Sequence, residues 1–262
     1  MSLEVAGGLL RGISYPPAGA CQGALVLCDP FAEEKKSAEN TLAALARALA
    51  EAGWWAWHWD YRGTGDSGGS FEEFRLADWR EDLRAAVAHA RAEGAERVGL
   101  VGLRLGATLA AEIAEEVGAW CVILWEPIVD GKRYVRELHQ RTAIKGMLTE
   151  GAGLGADQGS APRAAPPGEG MDLGGYLVTE AMERELGALR ITDLAEPGRP
   201  TLIVECNARG ETTGRVNAIV GTLSVDTATE ALVLEPFWQR IGLVETGALI
   251  EITVEWLGGT HG

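Results

Sequence analysis

Residues 97–116 read RVGLVGLRLGATLAAEIAEE. Val98, Leu100, Val101 and Leu103 make an apolar run too short for a helix and suited to a strand buried on both faces. Gly102 and Gly106 bracket a sharp bend, and the alanine-rich run after it has the composition of a helix. At the tip of the bend stands Arg104. A guanidinium stays protonated and has no lone pair to offer a carbonyl carbon, so this strand-to-helix turn presents a cation instead of a nucleophile.

Outward from this unit, strands and helices alternate, which predicts a parallel sheet covered on both faces. Upstream, GALVLCDPF (23–31) reads as a buried strand ending in a loop. SAENTLAALARALAEAG (37–53) reads as an amphipathic helix capped by Ser37 and closed by Gly53. WWAWHWDYRG (54–63) is a second strand, and residues 71–94 contain a helix stopped by Gly94. Downstream, WCVILWEP (120–127) is the fourth strand. There the alternation breaks. Residues 131–150 look helical, 151–170 are loaded with glycine and proline as in a loop, and 177–189 form another short helix. Alternation resumes with PTLIVEC (200–206), a helix near 211–221, and ALVLEP (231–236). The expected organisation is an α/β core from 1–130 and 196–262, with 131–195 inserted as a cap.

The 262 residues suffice for one large core, and 47% hydrophobic with 23% charged residues is an ordinary globular balance. The formal net charge of −15 repels polyphosphate backbones and anionic membranes, so neither nucleic-acid binding nor polybasic membrane docking is expected. No run of roughly 18 apolar residues provides a membrane span. No basic stretch followed by an apolar one marks a signal peptide, and the cytoplasm is the expected compartment. The four cysteines are far apart; Cys28, Cys121 and Cys206 fall in apolar strand-like runs, where cysteine acts as a small hydrophobe. No metal site and no cofactor are expected. The oligomeric state stays open, a homodimer included.

At GLRLG and DYRGTGDSGG the sequence resembles the α/β-hydrolase superfamily, over nearly the whole chain, through the order and spacing of strand plus DPF, strand plus DYRGTGDSGG, and strand plus elbow. A narrower resemblance is carried by CDPFAEEKKSAEN, GLRLGA, LWEPIVDGKRYVRELHQ and GGYLVTEAMERELGAL. These look like the second of two hydrolase-like families associated with the bacterial exosortase A system, which accompany exopolysaccharide and protein-sorting gene clusters. The resemblance implies an α/β-hydrolase fold with helices on both faces of a mostly parallel sheet.

It also implies where a triad would stand. In G-x-S-x-G the turn lifts a serine clear of the sheet, with an acid and then a histidine further along the chain. Here Arg104 occupies the serine position. Glu126 and Glu205 end strands in the regions where the acid belongs, but LVLEPFWQR, after the last strand, holds no histidine. Of the four histidines, His58 is expected inside a strand as a satisfied core residue, His89 in a remote helix, His139 in the cap, and His261 at the frayed end. Ser67 and Ser70 lie in a structural loop. Cys206, beside Glu205, is the best remaining nucleophile, though burial makes a thiol inert.

The expected function is therefore that of a non-hydrolytic binding or scaffolding homologue, the alternative being an esterase, thioesterase or acyltransferase with an unconventional site. Arg104 is expected to pair with Glu126, Glu205 or both, because an unpaired buried charge costs several kcal/mol. The competing arrangement keeps Arg104 available for a small anionic or acyl ligand. The elbow amides of Leu105 and Gly106 and the amide of Phe31 would assist, since Pro30 has no N–H. Asp29 would oppose an anion there.

Overall fold

The computed structural model describes residues 1–151, 170–191, 199–221, 227–240 and 242–259, and of residues 145–151 the backbone alone. The 152–169 part of the expected loop and His261 lie outside that range. Six strands run parallel: β3 (Ala24–Cys28), β4 (Trp55–Trp59), β5 (Val98–Leu103), β6 (Val122–Trp125), β9 (Thr201–Asn207) and β10 (Thr227–Val233). An antiparallel pair, β1 (Ser2–Val5) and β2 (Gly8–Tyr15), extends the sheet beyond β4, giving the order β1-β2-β4-β3-β5-β6-β9-β10. The helices are α1 (Glu33–Glu51), α2 (Leu76–Ala92), α3 (Leu105–Ile113), α6 (Gly214–Val220) and α7 (Gly247–Gly259). After β6 come α4 (Gly131–Gly151), a two-residue ladder of β7 (Met171–Asp172) with β8 (Leu177–Val178), and α5 (Glu180–Ala188), which packs on α4. No described helix is long and apolar enough to cross a membrane.

Period-two alternation divides the core into two layers. Ala24, Val26 and Cys28 of β3 face a cluster with Trp57, Trp59 and the apolar stripes of α2 and α3. Leu25 and Leu27 face the other way, against Leu42, Leu45 and Leu49 of α1 and Leu249 and Leu257 of α7. The odd-numbered tryptophans of β4 thus share one face, and the opposite face carries Ala56 and His58.

Several boundaries differ from the sequence expectation, each for a local reason. Helix α1 starts at Glu33, so Ser37 lies inside it and caps nothing: the chain leaves β3 through Asp29–Phe31 and turns straight into the helix at Ala32 (φ 50°, ψ −120°). Glu33 and Glu34 fall in the first turn, where the helix dipole favours negative charge. The segment 71–94 divides into a 3₁₀ turn, Phe71–Glu73, closed by Glu73 Oε2 accepting from the Ser70 amide, and α2 beginning at Leu76. Strand β10 begins at Thr227, four residues before the apolar run that marks it in the sequence.

Candidate functional site

The bend after β5 is built as the glycines demand. A Cβ on Gly106 would lie 2.0 Å from the Cys28 carbonyl oxygen, and one on Gly102 would lie 2.4 Å from the Ala107 nitrogen. With both absent, α3 packs directly on the end of β3. Arg104 caps α3 at φ 55°, ψ −117°, and its amide donates to the Trp125 carbonyl at 2.9 Å. Only three described non-glycine residues have positive φ: Ala32, Arg104 and Glu126. They stand at or just beyond the carboxyl ends of β3, β5 and β6, at one end of the sheet. Each such conformation costs on the order of 1–3 kcal/mol, and such strain gathers at functional sites.

The Arg104 guanidinium is buried, 6% exposed, between the rings of Tyr134 (5.3 Å to the centroid) and Trp238 (5.4 Å). Three carboxylates surround it. Glu34 Oε1 is 3.5 Å from Nε, Glu137 Oε2 is 3.7 Å from one terminal nitrogen, and Glu126 Oε2 is 4.0 Å from the other. Burial works against the charged form, but Glu34, Tyr134, Glu126 and Glu137 outweigh it, so Arg104 is held even above its ordinary pKa.

Of the two partners that sequence reasoning missed, Glu34 and Glu137, Glu34 is the more deeply buried. It is 1% exposed, and its other oxygen accepts from the Tyr134 hydroxyl at 3.0 Å, while Arg141 approaches Oε1 at 3.2 Å. In AEEKK it looks like one of the solvated acids that open many helices. A legible clue was the 3-then-4 spacing of Tyr134, Glu137 and Arg141, which places all three on one face of α4.

Of the two acids expected to meet Arg104, Glu126 alone comes within ion-pair range. Its Oε1 accepts from the Cys206 amide at 2.6 Å, and burial raises its pKa against the pull of that amide and of Arg104. Glu205 is committed elsewhere: it accepts from the Thr213 amide (2.7 Å) and hydroxyl (2.6 Å) and pairs with Arg215 at 3.2 Å. Cys206 is buried, and burial together with Glu126 and Glu205 drives its thiol pKa upward, the opposite of nucleophile activation.

A cavity of about 200 Å³ opens beside Arg104, walled by Tyr134, Glu137, Arg133, Arg215 and residues 127–130. Phe31 and Leu105 are no part of that wall. The Phe31 ring is buried against Phe71 and Trp79, and Leu105 is fully buried.

Asp29 does not oppose charge at Arg104, because its carboxylate serves a separate cluster. It accepts from His58 Nε2 at 2.6 Å and pairs with Lys35, which bridges to Asp60 at 2.5 Å. Burial would raise the Asp29 pKa, yet His58 and Lys35 prevail and hold it at about 2. These groups border a different cavity, of about 630 Å³, on the β2–β4 side of α1. His58 is thus satisfied by a buried carboxylate. His89 lies edge-on to Trp57 and Trp59, and His139 pairs with Glu183 at 2.8 Å on the exposed side of α4.

Residues 21–154 match the family model described as serine aminopeptidase, S33 (Hydrolase_4). No curated protein shows significant sequence similarity to the chain. Among solved structures, Est1E from Butyrivibrio proteoclasticus with ferulic acid bound superposes at a TM-score of 0.71 with 17% identity, over 99% of this chain and 98% of that one. Proline iminopeptidase from Mycobacterium smegmatis gives 0.65 and 14%, over 99% and 97%. A Xanthomonas campestris α/β serine hydrolase described as lacking a lid gives 0.61 and 18%, over 100% and 92%. At these identities the likeness speaks for the fold alone.

Proposed function

The chain belongs to the serine aminopeptidase S33 family of α/β hydrolases, and from that premise we propose that it is a member that binds a ligand without cleaving it. One observation carries the reading: the side chain lifted at the elbow is a permanent cation, caged by Glu34, Glu126 and Glu137. A hydroxyl nucleophile there would need an imidazole within hydrogen-bond reach. His58 and His139 are engaged with Asp29 and Glu183, and His89 lies against the tryptophans. In this reading residues 131–195 act as a cap, because Tyr134, Glu137 and Arg141 of α4 close the Arg104 cage from above the elbow.

A fluorophosphonate probe tests the proposal, with any adduct mapped by mass spectrometry, alongside turnover of short-chain chromogenic esters. The expected result is no stoichiometric adduct and no hydrolysis above the buffer rate. An adduct on a hydroxyl or thiol in the hollow, or rapid ester turnover, would establish the alternative, a hydrolase with an unconventional site. What favours that alternative is the elbow strain at Arg104, kept although no serine stands there.

The setting we propose, a cytoplasmic protein of a bacterial exosortase and exopolysaccharide system, rests on the motif resemblance of CDPFAEEKKSAEN, GLRLGA, LWEPIVDGKRYVRELHQ and GGYLVTEAMERELGAL. It predicts that deleting the gene in its host lowers exopolysaccharide export, and that an Arg104→Met allele fails to restore it.

A further inference from the structure

We propose that the hollow beside Arg104 receives an uncharged ligand bearing two adjacent hydroxyl groups, an inference that rests on the binding reading above. The first argument is charge. The guanidinium groups of Arg104 and Arg141 share Glu34, Arg104 and Arg133 share Glu137, and Arg215 pairs with Glu205. With Glu126 also against Arg104, four carboxylates balance four guanidinium groups. Asp130 on the cavity wall is matched in turn by Arg190 at 3.3 Å. An anionic ligand would break this balance in a site partly withdrawn from water, where an uncompensated charge is costly.

The second argument is hydrogen bonding. The guanidinium carbon of Arg104 lies over the rings of Tyr134 and Trp238, and what a ligand can meet are its terminal nitrogens. The two terminal nitrogens lie 4.0 and 3.7 Å from their nearest carboxylate oxygens, too far for hydrogen bonds. Arg104 Nε and Glu34 Oε1, 3.5 Å apart, are fully buried without a hydrogen-bond partner among the described residues, and the terminal nitrogens are not shut in with them. The group that suits each gap must accept from Arg104 and donate to Glu126 or Glu137 through the same atom. A hydroxyl oxygen does both without bringing charge, whereas a carboxylate or ketone only accepts and a phosphate brings negative charge. Two such gaps at neighbouring nitrogens of one planar fork call for hydroxyls on adjacent carbons. The cavity of about 200 Å³ limits the ligand, or the part of it that enters, to the size of a small ring.

The experiment is ligand-observed saturation-transfer NMR on the whole protein. The probes are cis-1,2-cyclohexanediol, its 1,4 isomer, cyclohexanol, sodium acetate and inorganic phosphate. The 1,2-diol is expected to bind, with the 1,4-diol and the mono-alcohol weaker by about tenfold, the worth of one hydrogen bond to a charged group. Arg104→Met and Glu137→Leu should each abolish the signal. Glu137 is about one-third exposed, so its replacement keeps the test informative if the Arg104 variant fails to fold. Equal signals from the three alcohols, no diol signal at all, or displacement of the diol by acetate or phosphate would overturn the proposal. Fluorophosphonate labelling of the same sample separates the two claims: an adduct with selective diol binding sinks the non-hydrolytic reading alone, and no adduct without diol binding sinks this one alone.

Discussion

At Arg104 the decisive quantity is the cost of leaving a buried charge alone. Replacing one partner of a buried ion pair strands the other, at about 3–5 kcal/mol, while replacing both by well-packed apolar groups is often nearly neutral. Arg104→Met strands Glu34, which is 1% exposed and retains only Arg141 and the Tyr134 hydroxyl. Urea unfolding should show a loss of about 3–5 kcal/mol for Arg104→Met and a similar loss for Glu34→Met. The double variant should lose clearly less than the two together, because the residues share one interaction. Strict additivity would mean that Glu34 is not the partner that matters. Restoring the family residue makes a second test. Arg104→Ser supplies a hydroxyl but no base to take its proton, so it should gain neither fluorophosphonate labelling nor ester turnover. A gain of either would place an imidazole near the elbow and defeat the binding reading.

The elements show which parts of the fold depend on single backbone contacts. Gly106→Ala would press a methyl group to 2.0 Å from the Cys28 carbonyl oxygen, and backbone on both sides cannot yield as a flexible side chain would. Thermal unfolding should place this variant at or beyond the top of the roughly 1–3 kcal/mol range of overpacked cores. Gly187, inside α5, has nothing within 4 Å of where a Cβ would stand, so Gly187→Ala should hold or raise stability, by up to about 1 kcal/mol. If both variants behaved alike, close approach would not explain the elbow glycine. The same contrast separates what could be read in advance from what could not. The β3, β5, β6 and β9 runs are apolar on both parities and bounded by turns, so their place in a parallel sheet was legible from composition. The β1–β2 hairpin went unread because GGLLRGISYP is half-solvated and carries only a weak alternation. The start of α1 is earlier than Ser37 suggests because the chain bends into the helix at Ala32 (φ 50°) with no capping side chain. At the site, Arg104 announced itself by standing between two glycines. Glu34 could not, since its burial depends on Tyr134, which the chain brings to it from a hundred residues away.

For the molecule as a whole, the first turn of α1 joins two charged sites. Glu34 serves the Arg104 cage, and its neighbour Lys35 holds Asp29 and Asp60 beside the larger cavity. The Asp29 carboxyl ties β3, β4 and α1 together, through its own place after β3, His58 of β4 and Lys35. Its pKa lies near 2 in the folded chain against an ordinary 3.8. A carboxyl whose folded pKa is depressed adds stability that is fully present above its ordinary value and drains away as pH falls through the folded one. Here the window runs from about pH 4 down to pH 2, and the amount is about 2 kcal/mol. Asp29→Asn should therefore be less stable than the parent chain at pH 7. The gap between the two should narrow as pH drops from 4 toward 2, when the parent loses what the variant never had. Chemical denaturation at a series of pH values reads this directly, and the comparison matters because the other acids of a chain with net charge −15 titrate in the same range. Their shared contribution cancels between parent and variant. A gap that stayed constant down to pH 2 would show that the carboxyl acts there by shape alone, and that Lys35 and His58 are not what holds its proton off.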